Sequence, residues 1–248
     1  MIVDWHWISR TLQRADRYVD AIVWNQYLLE DIDDIGNYRA AIDSTNALIR
    51  RHDSDGVREP VLIGATNMRG GPYIEQVRQD GMYAAVWWAS VLAECVATRI
   101  SLLTYFSLRD FGPMRKGLLC EDATPKPVAE ATAVVLNNVH SELRSYSSSH
   151  PGLKVIASST RAGDTSSVVC VNTTLNPLLV SLSLPRSRTR RKEVAVHCLA
   201  GGFVRDMSPG SDGFVLEGRT LSRFALAPRS ITAVSLRPAL PDPARSER

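Results

Sequence analysis

Carboxylates that could act as acids, bases or nucleophiles follow three apolar runs in the first half of the chain. The acidic loop Glu30–Asp34 follows the first run, Glu75 the second and Asp110 the third. Two carboxyl groups held close together can transfer protons or attack an electrophilic carbon. In loops of this kind the same residues more often cap helices or lie in solvent.

The central run belongs to the stretch Glu59–Arg69, EPVLIGATNMR. Pro60–Ile63 is apolar, and the small polar residues after it lead to the turn signal Gly70-Gly71-Pro72, so a strand over 60–66 opening into a surface loop is predicted. The helix-forming run Tyr83–Val96 and a second buried strand, Ile100–Leu108, come next. Together they form a strand–helix–strand unit.

The elements on either side of this unit continue the alternation of helices and strands. They are a helix at Val3–Ala15, a strand at Tyr18–Leu29, an amphipathic helix at Asn37–Arg51 and a closing helix at Pro127–Leu143. Residues 1–147 therefore contain three predicted strands interleaved with helices.

The order of these motifs resembles the end of a clan-A glycoside hydrolase barrel. The motifs are the strand with its Gly-Gly loop, the aromatic helix WWASVLAE, the strand TYFSLRD, the Gly117-Leu118-Leu119 turn and the Pro125-Lys126-Pro127 helix start. The nearest likeness is to β-xylosidases and α-L-iduronidases. The resemblance implies an α/β fold: a partial (β/α)8 TIM barrel, strands six to eight with their helices.

The resemblance also implies where the chemistry of such an enzyme would lie. In these relatives a Glu at the end of strand seven, within G-E-T-N or T-E-Y-N, is the nucleophile, and Ala65 occupies its position here. The acid/base Glu of an N-E-P segment after strand four has no counterpart in this chain. Glu75, Asp110 and the acidic loop are the carboxylates that could substitute for the missing pair.

Sugar contacts are implied for several residues near the strand ends. The family's strand six carries a His and a Tyr that face the sugar; Asn25 takes the His position and Tyr27 keeps the Tyr. Phe106 stands near a family Trp. The remaining substrate-binding candidates are Asn67 and Tyr105. Aromatic residues on buried strands, however, more often belong to the core.

The periodicity becomes alternating after the polar linker Ser145–Pro151. Short strands are predicted at Leu153–Ser159, Ser166–Asn172, Leu178–Leu184, Glu193–Cys198, Gly213–Glu217, Leu221–Leu226 and Ile231–Leu236. This spacing is typical of an antiparallel β-sandwich over 152–237. The segment LAPRSIT, residues 226–232, resembles the family's L-P-P-x-S-x-T before the last sandwich strand. Residues 238–248 are predicted to be a disordered tail.

Composition and charge limit the classes of ligand and partner that this chain could bind. The chain has 248 residues, 44% of them hydrophobic, and a net charge of +3. We therefore expect a soluble globular protein that binds neither nucleic acid nor membranes. The basic run Arg186–Lys192 is best explained as a solvated loop. The four Cys residues show no metal-ligand spacing, and no cofactor motif occurs, so neither a metal nor a cofactor is predicted.

The first residues lack the pattern of a signal peptide, so none is predicted. As written, the protein would stay in the cytoplasm, whereas a longer precursor would allow secretion. Three functions remain open: a truncated glycoside hydrolase, a non-catalytic carbohydrate-binding or interaction protein, and an enzyme with a relocated carboxylate pair. Three parallel strands leave two open edges, so self-association through the barrel edges is also expected.

Overall fold

The computed structural model describes residues 4–27, 31–54, 56, 58–68, 76–98, 100–144, 148, 150–183, 192–208, 212, 214–217 and 220–238. The chain divides into two compact units, Met1–Ala129 and Glu130–Arg248. The sequence placed this division later, between residues 147 and 152. No helix in the described ranges is long and apolar enough to cross a membrane.

A three-stranded parallel sheet forms the centre of the first unit. Its strands are β1 (Ile22–Gln26), β2 (Val61–Thr66) and β3 (Ile100–Tyr105), with β2 in the middle. Helices connect the strands, as parallel pairing requires. The described strands of this unit form an open sheet and no closed barrel.

The helices of this unit are α1 (Trp5–Ala15), α2 (Gly36–His52), α3 (Gln76–Asp80) and α4 (Met82–Val96). The Asp4 side chain caps α1 by accepting from Trp7 N at 3.0 Å. Helix α4 is apolar on most sides and almost wholly buried. Its Trp87 packs edge-on against Tyr38 of α2, and the Tyr38 hydroxyl lies 2.5 Å from Thr66 Oγ1 of β2. These contacts fasten both helices to one face of the sheet.

Two strands are shorter than the sequence predicted. Strand β1 begins at Ile22 rather than Tyr18, because residues 16–18 form a 3-10 turn closed by Val19 N donating to Asp16 O. Strand β3 ends at Tyr105 rather than Leu108, because Ser107 N donates to Lys116 O and turns the chain back into a loop. Apolar residues lie just before Ile22 and just after Tyr105, so the sequence pattern did not show where β1 begins or where β3 ends.

The second unit contains two antiparallel sheets. The smaller sheet has the order β10-β11-β7 and the larger β4-β5-β6-β12-β8-β9. The strands are β4 (Glu142–Leu143), β5 (Leu153–Ser159), β6 (Ser166–Asn172), β7 (Leu178–Ser183), β8 (Lys192–Ala200), β9 (Phe203–Met207), β10 (Val215–Glu217), β11 (Thr220–Leu226) and β12 (Ser230–Pro238).

Apolar side chains from both sheets meet in one core. Phe224 of β11 is fully buried and meets Phe214 edge to face, with ring centroids 5.1 Å apart. Val234 of β12 and Val196 of β8 belong to the same cluster. The two sheets therefore bury their alternating apolar residues against each other.

The closing helix α5 (Pro127–Asn138) ends five residues before its predicted end at Leu143. The Asn138 side chain accepts a hydrogen bond from Ser235 Oγ at 2.8 Å, and Glu142–Leu143 pairs with β5 as strand β4. Strand β9 was missed; it forms a hairpin with β8 through Gly201-Gly202, both at positive φ. Strand β12 reaches Pro238, and the rest of the predicted tail lies outside the described residues.

We expect Phe224→Ala to lower the free energy of unfolding by about 3–5 kcal/mol, because it removes a fully buried ring from the core of the second unit. Urea denaturation followed by circular dichroism measures this change. Phe203→Ala is the matched control: Phe203 is 78% exposed, so its loss should change stability by less than about 0.5 kcal/mol. Equal losses for the two variants would contradict the packing described for this core.

Candidate functional site

The candidate site lies at the carboxyl ends of β1, β2 and β3 and in the described residues that follow them. Asn25 of β1 and Ala65 of β2 are register partners there. Asn25 is exposed and Ala65 is half-buried. A Cβ added to the neighbouring Gly64 would approach Asn25 Oδ1 to 3.3 Å. Strand β2 thus runs close to β1 at this point. Ala65 places a methyl group at the position of the expected nucleophile, and Asn25 places an amide beside it.

Asn67 follows β2, and its side chain is occupied by backbone hydrogen bonds. Its Nδ2 donates to Phe106 O at 2.5 Å and to Lys116 O at 3.1 Å, and its Oδ1 accepts from Met68 N at 2.7 Å. The residue is fully buried. The structure therefore uses Asn67 to fasten the end of β2 to the loop after β3, whereas the sequence assigned it to substrate.

Tyr105 and Phe106 have different surroundings although they are adjacent. The Tyr105 ring packs edge-on against Trp88 of α4 with centroids 4.9 Å apart, and its hydroxyl accepts from Gln79 Nε2 at 3.2 Å. Burial raises the pKa of this phenol. Phe106 is half-buried and meets Phe111 at right angles, with centroids 6.2 Å apart.

Phe111 itself is 48% exposed, so of these rings the Phe106–Phe111 pair is the accessible one. Sequence reasoning did not select Phe111. Its position in the RDFGP turn, three residues after the predicted strand end at Leu108, was the available signal.

The residues at the end of β1 are connected through Gln26. Trp24 Nε1 donates to Gln26 Oε1 at 3.1 Å, and Gln26 Nε2 lies 3.5 Å from Tyr27 O. Tyr27 is half-buried, and burial raises the pKa of its phenol. Tyr27 and Asn25 both lie at the same strand end, as the resemblance implied.

Asp110 belongs to an ion cluster around the buried Lys126, which we define as Lys126, Asp80 and Asp110. Lys126 Nζ lies 2.8 Å from Asp110 Oδ1 and Oδ2 and 2.7 Å from Asp80 Oδ1, and it also donates to Arg115 O at 3.1 Å. Asp110 additionally accepts from Gly117 N at 2.7 Å. The Lys126 side chain is 2% exposed. The Asp110 carboxylate is therefore committed to neutralising and orienting a buried ammonium.

Sequence reasoning recognised Lys126 only as part of a helix start and passed over Asp80. No local pattern links the two, because they lie in different elements. Their pairing depends on α3, the loop after β3 and the start of α5 meeting in space.

Of the other carboxylates that the sequence singled out, Asp31 lies among the described residues. Asp31 is exposed; its Oδ1 lies 3.7 Å from Arg78 Nη1 and 3.4 Å from the Tyr83 hydroxyl. Glu30 and Glu75 lie outside the described residues. Asp31 and Asp110 thus have different partners, Arg78 and Tyr83 for the first and Lys126 and Gly117 for the second. Among the described residues, no group of three or more potential ligands could hold a metal ion.

Solved structures share this fold. An α-L-arabinofuranosidase from Thermotoga maritima matches at a TM-score of 0.69 and 14% identity, over 94% of this chain and 55% of that one. The enzyme of the same name from Thermotoga petrophila gives 0.72 and 14%, over 94% and 56%. A β-xylosidase from Caulobacter crescentus gives 0.66 and 13%, over 96% and 60%. No family model and no curated protein matches the sequence.

These neighbours are glycoside hydrolases, so the resemblance indicated by the sequence is confirmed at the level of the fold. The chain spans a little more than half the length of the arabinofuranosidases that it matches. Identities this low carry the fold and leave the activity to be tested.

We expect Lys126→Met to lower the free energy of unfolding by about 3–5 kcal/mol, because Asp80 and Asp110 would lose the cation that neutralises them. Chemical denaturation measures this loss. Arg115→Met is the control, since the exposed Arg115 side chain lies beside the cluster and only its carbonyl contacts Lys126. A stable Lys126→Met protein would show that the cluster does not hold this end of the unit.

Proposed function

We propose that this chain is a glycoside hydrolase-like protein without hydrolytic activity of its own. In this proposal the first unit corresponds to strands six to eight of a (β/α)8 barrel, and the second to the β-sandwich that follows the barrel. Ala65 at the end of β2, in place of a carboxylate, is the observation that carries it.

The chemistry of glycoside hydrolysis supports this conclusion. A retaining enzyme needs two carboxyl groups about 5–5.5 Å apart, one as nucleophile and one as acid/base, and an inverting enzyme needs a wider pair with a water molecule between them. The Ala65 methyl group can neither attack an anomeric carbon nor stabilise positive charge on it. A lone carboxylate elsewhere would still lack its partner.

The contacts of the described carboxylates point the same way. Asp110 is committed to Lys126 and to a backbone amide, and Asp31 lies at the surface beside Arg78. Using Asp110 as an acid or nucleophile would leave a buried ammonium without its partner, which is energetically costly. Recruiting Asp110 for catalysis would therefore destabilise the loop that presents it.

Carbohydrate binding without hydrolysis is the second candidate function. The Phe106–Phe111 pair offers an accessible aromatic surface, and Asn25 offers an exposed amide at the same sheet end. Aromatic faces pack against apolar surfaces, and amides bond hydroxyl groups. Arabinose and xylose are the first ligands to test, because arabinofuranosidases and a xylosidase are among the structural neighbours.

We expect no detectable release from aryl-α-arabinofuranosides or aryl-β-xylosides by this 248-residue chain, because Ala65 supplies no nucleophile and no described carboxylate is placed to donate a proton. General acid–base catalysis alone commonly contributes about 10²–10⁴-fold. Ala65→Glu should release a dinitrophenyl leaving group slowly and leave the matching natural disaccharide intact, because only the activated group departs without protonation. Colorimetric and chromatographic product assays distinguish these cases.

Two controls make the assay decisive. Ala65→Gln has the size of the Glu variant without its charge, so it should be inactive on both substrates. Turnover by the natural protein that disappears in Asp31→Ala, Glu75→Ala or Asp110→Ala would overturn the proposal and establish a relocated carboxylate pair.

Sugar binding has its own readout. If the Phe106–Phe111 pair binds carbohydrate, titration with xylose or arabinose should shift the amide resonances of residues 106–111 in NMR spectra. The Phe111→Ala variant should show weaker shifts. Phe203→Ala, which removes an exposed ring from the second unit, should leave them unchanged. Absence of any shift for either sugar would remove these two monosaccharides as ligands.

A further inference from the structure

The end of α5 is joined to the larger sheet of the second unit by a buried chain of hydrogen bonds. Ser235 Oγ of β12 donates to Asn138 Oδ1 at 2.8 Å, and Ser167 Oγ of β6 lies 2.8 Å from Ser235 Oγ. His140 Nε2 lies 3.0 Å from Ser167 Oγ. Asn138 and both serines are buried, whereas His140 is half-buried. The chain therefore runs from a buried amide to a ring near the surface.

The direction of each bond in this chain is determined at its buried end. Asn138 Nδ2 donates to Val134 O at 2.8 Å, and a carbonyl can only accept, so the amide oxygen of Asn138 must face Ser235. Ser235 uses its single hydroxyl proton on that oxygen, so the Ser167 hydroxyl must donate to Ser235. Ser167 then has no proton left for His140. The imidazole must therefore donate from Nε2, and Nδ1 is the nitrogen that a second proton would occupy.

The backbone of the same segment is bound to β5. His140 N donates to Ser158 Oγ at 3.0 Å, and Ser158 Oγ lies 3.4 Å from Asn138 O. Ser158 is buried as well. Serines from three strands thus hold the segment that connects α5 to β4. We call this arrangement the α5 anchor, defined as residues 138–140 with Ser158, Ser167 and Ser235.

The surroundings of His140 favour its neutral form. Burial lowers the pKa of the imidazole, Arg237 on β12 lowers it further, and Asp164 in the turn between β5 and β6 acts in the opposite direction. The Asp164 carboxylate also accepts a hydrogen bond from the Thr160 hydroxyl. A protonated ring would therefore be partly removed from water and would lie near a second cation.

We propose that the α5 anchor is acid-sensitive: it stays closed while His140 is neutral and opens more often once His140 takes a second proton. A ring released into water regains the ordinary pKa of imidazole, so acid favours the opened form. The stabilisation is present in full above a pH of about 6.5 and is lost as the pH falls below that value. The proposal goes beyond the proposed function, because it concerns no residue of the candidate site.

Nitrogen-15 NMR of the unsubstituted chain tests the direction of the hydrogen-bond chain without any variant. At a pH of about 8, the neutral His140 ring should show the chemical shifts of the Nε2–H tautomer, and its titration midpoint should lie below about 6.5. A neutral ring protonated on Nδ1, or a midpoint at or above the ordinary imidazole value, would overturn the proposal.

Hydrogen exchange at the amide of residue 140 measures the opening itself, because this amide donates to Ser158 Oγ in the closed anchor. After correction for the intrinsic exchange rate, the opening constant should rise about three- to tenfold from a pH of about 7.5 to about 5.5. His140→Gln keeps an N–H donor for Ser167 and cannot take a proton, so its opening constant should be equal at both pH values. The same rise in His140→Gln as in the parent chain would overturn the proposal.

Arg237→Gln and Arg205→Gln are a matched pair of substitutions. Both arginines are exposed on strands of the larger sheet, Arg237 on β12 and Arg205 on β9. Arg237 acts on His140, whereas Arg205 lies 3.9 Å from Asp212. Arg237→Gln should make the rise in the opening constant at least about 1.5-fold smaller, because the neighbouring cation is removed. Arg205→Gln should leave the rise unchanged, and equal rises in the two variants would contradict this electrostatic account of the anchor.

Discussion

The buried ammonium of Lys126 is the constraint on which the end of the parallel sheet depends. Its carboxylate partners are Asp80 at the end of α3 and Asp110 in the loop after β3. A charge with 2% exposure must be neutralised, so these elements have to meet. Asp110 also accepts a hydrogen bond from Gly117 N, so its carboxylate has structural partners on two sides.

The two faces of the parallel sheet differ in burial. Val61 and Ile63 are fully buried, whereas Val23 and Leu102, the register partners of the intervening Leu62, are 58% and 48% exposed. The neighbouring structures are nearly twice as long as the region that this chain matches.

Much of the fold could be predicted, because its signals are local. The apolar run before the GATN segment marked β2, the aromatic run marked α4, and alternating residues marked most strands of the second unit. Element ends were predicted less well. Strand β3 was predicted to reach Leu108 because apolar residues continue into the loop. Strand β9 was missed because its FVRDM sequence is almost wholly exposed and shows no alternation.

The site was harder to predict than the fold. Asn67 has the residue type of a substrate ligand, yet its amide is used by backbone groups that lie far away in sequence. Tyr105 stands at a strand end, yet its ring packs against Trp88. Lys126 pairs across separate elements without any sequence signal. Residue type and spacing show where a strand ends, whereas the partners of a side chain depend on tertiary contacts.

The proposal that this chain has no usable nucleophile can be tested without relying on turnover. Activated 2-fluoro arabinofuranosides and 2-fluoro xylosides trap a nucleophilic carboxylate as a stable glycosyl ester, because the covalent intermediate of a retaining enzyme forms and then cannot be hydrolysed. Intact-mass spectrometry after prolonged incubation reads the result. The expected outcome is an unchanged protein mass with both reagents. A stoichiometric glycosyl adduct mapped to Asp110, Asp31 or Glu75 would contradict it and identify the nucleophile.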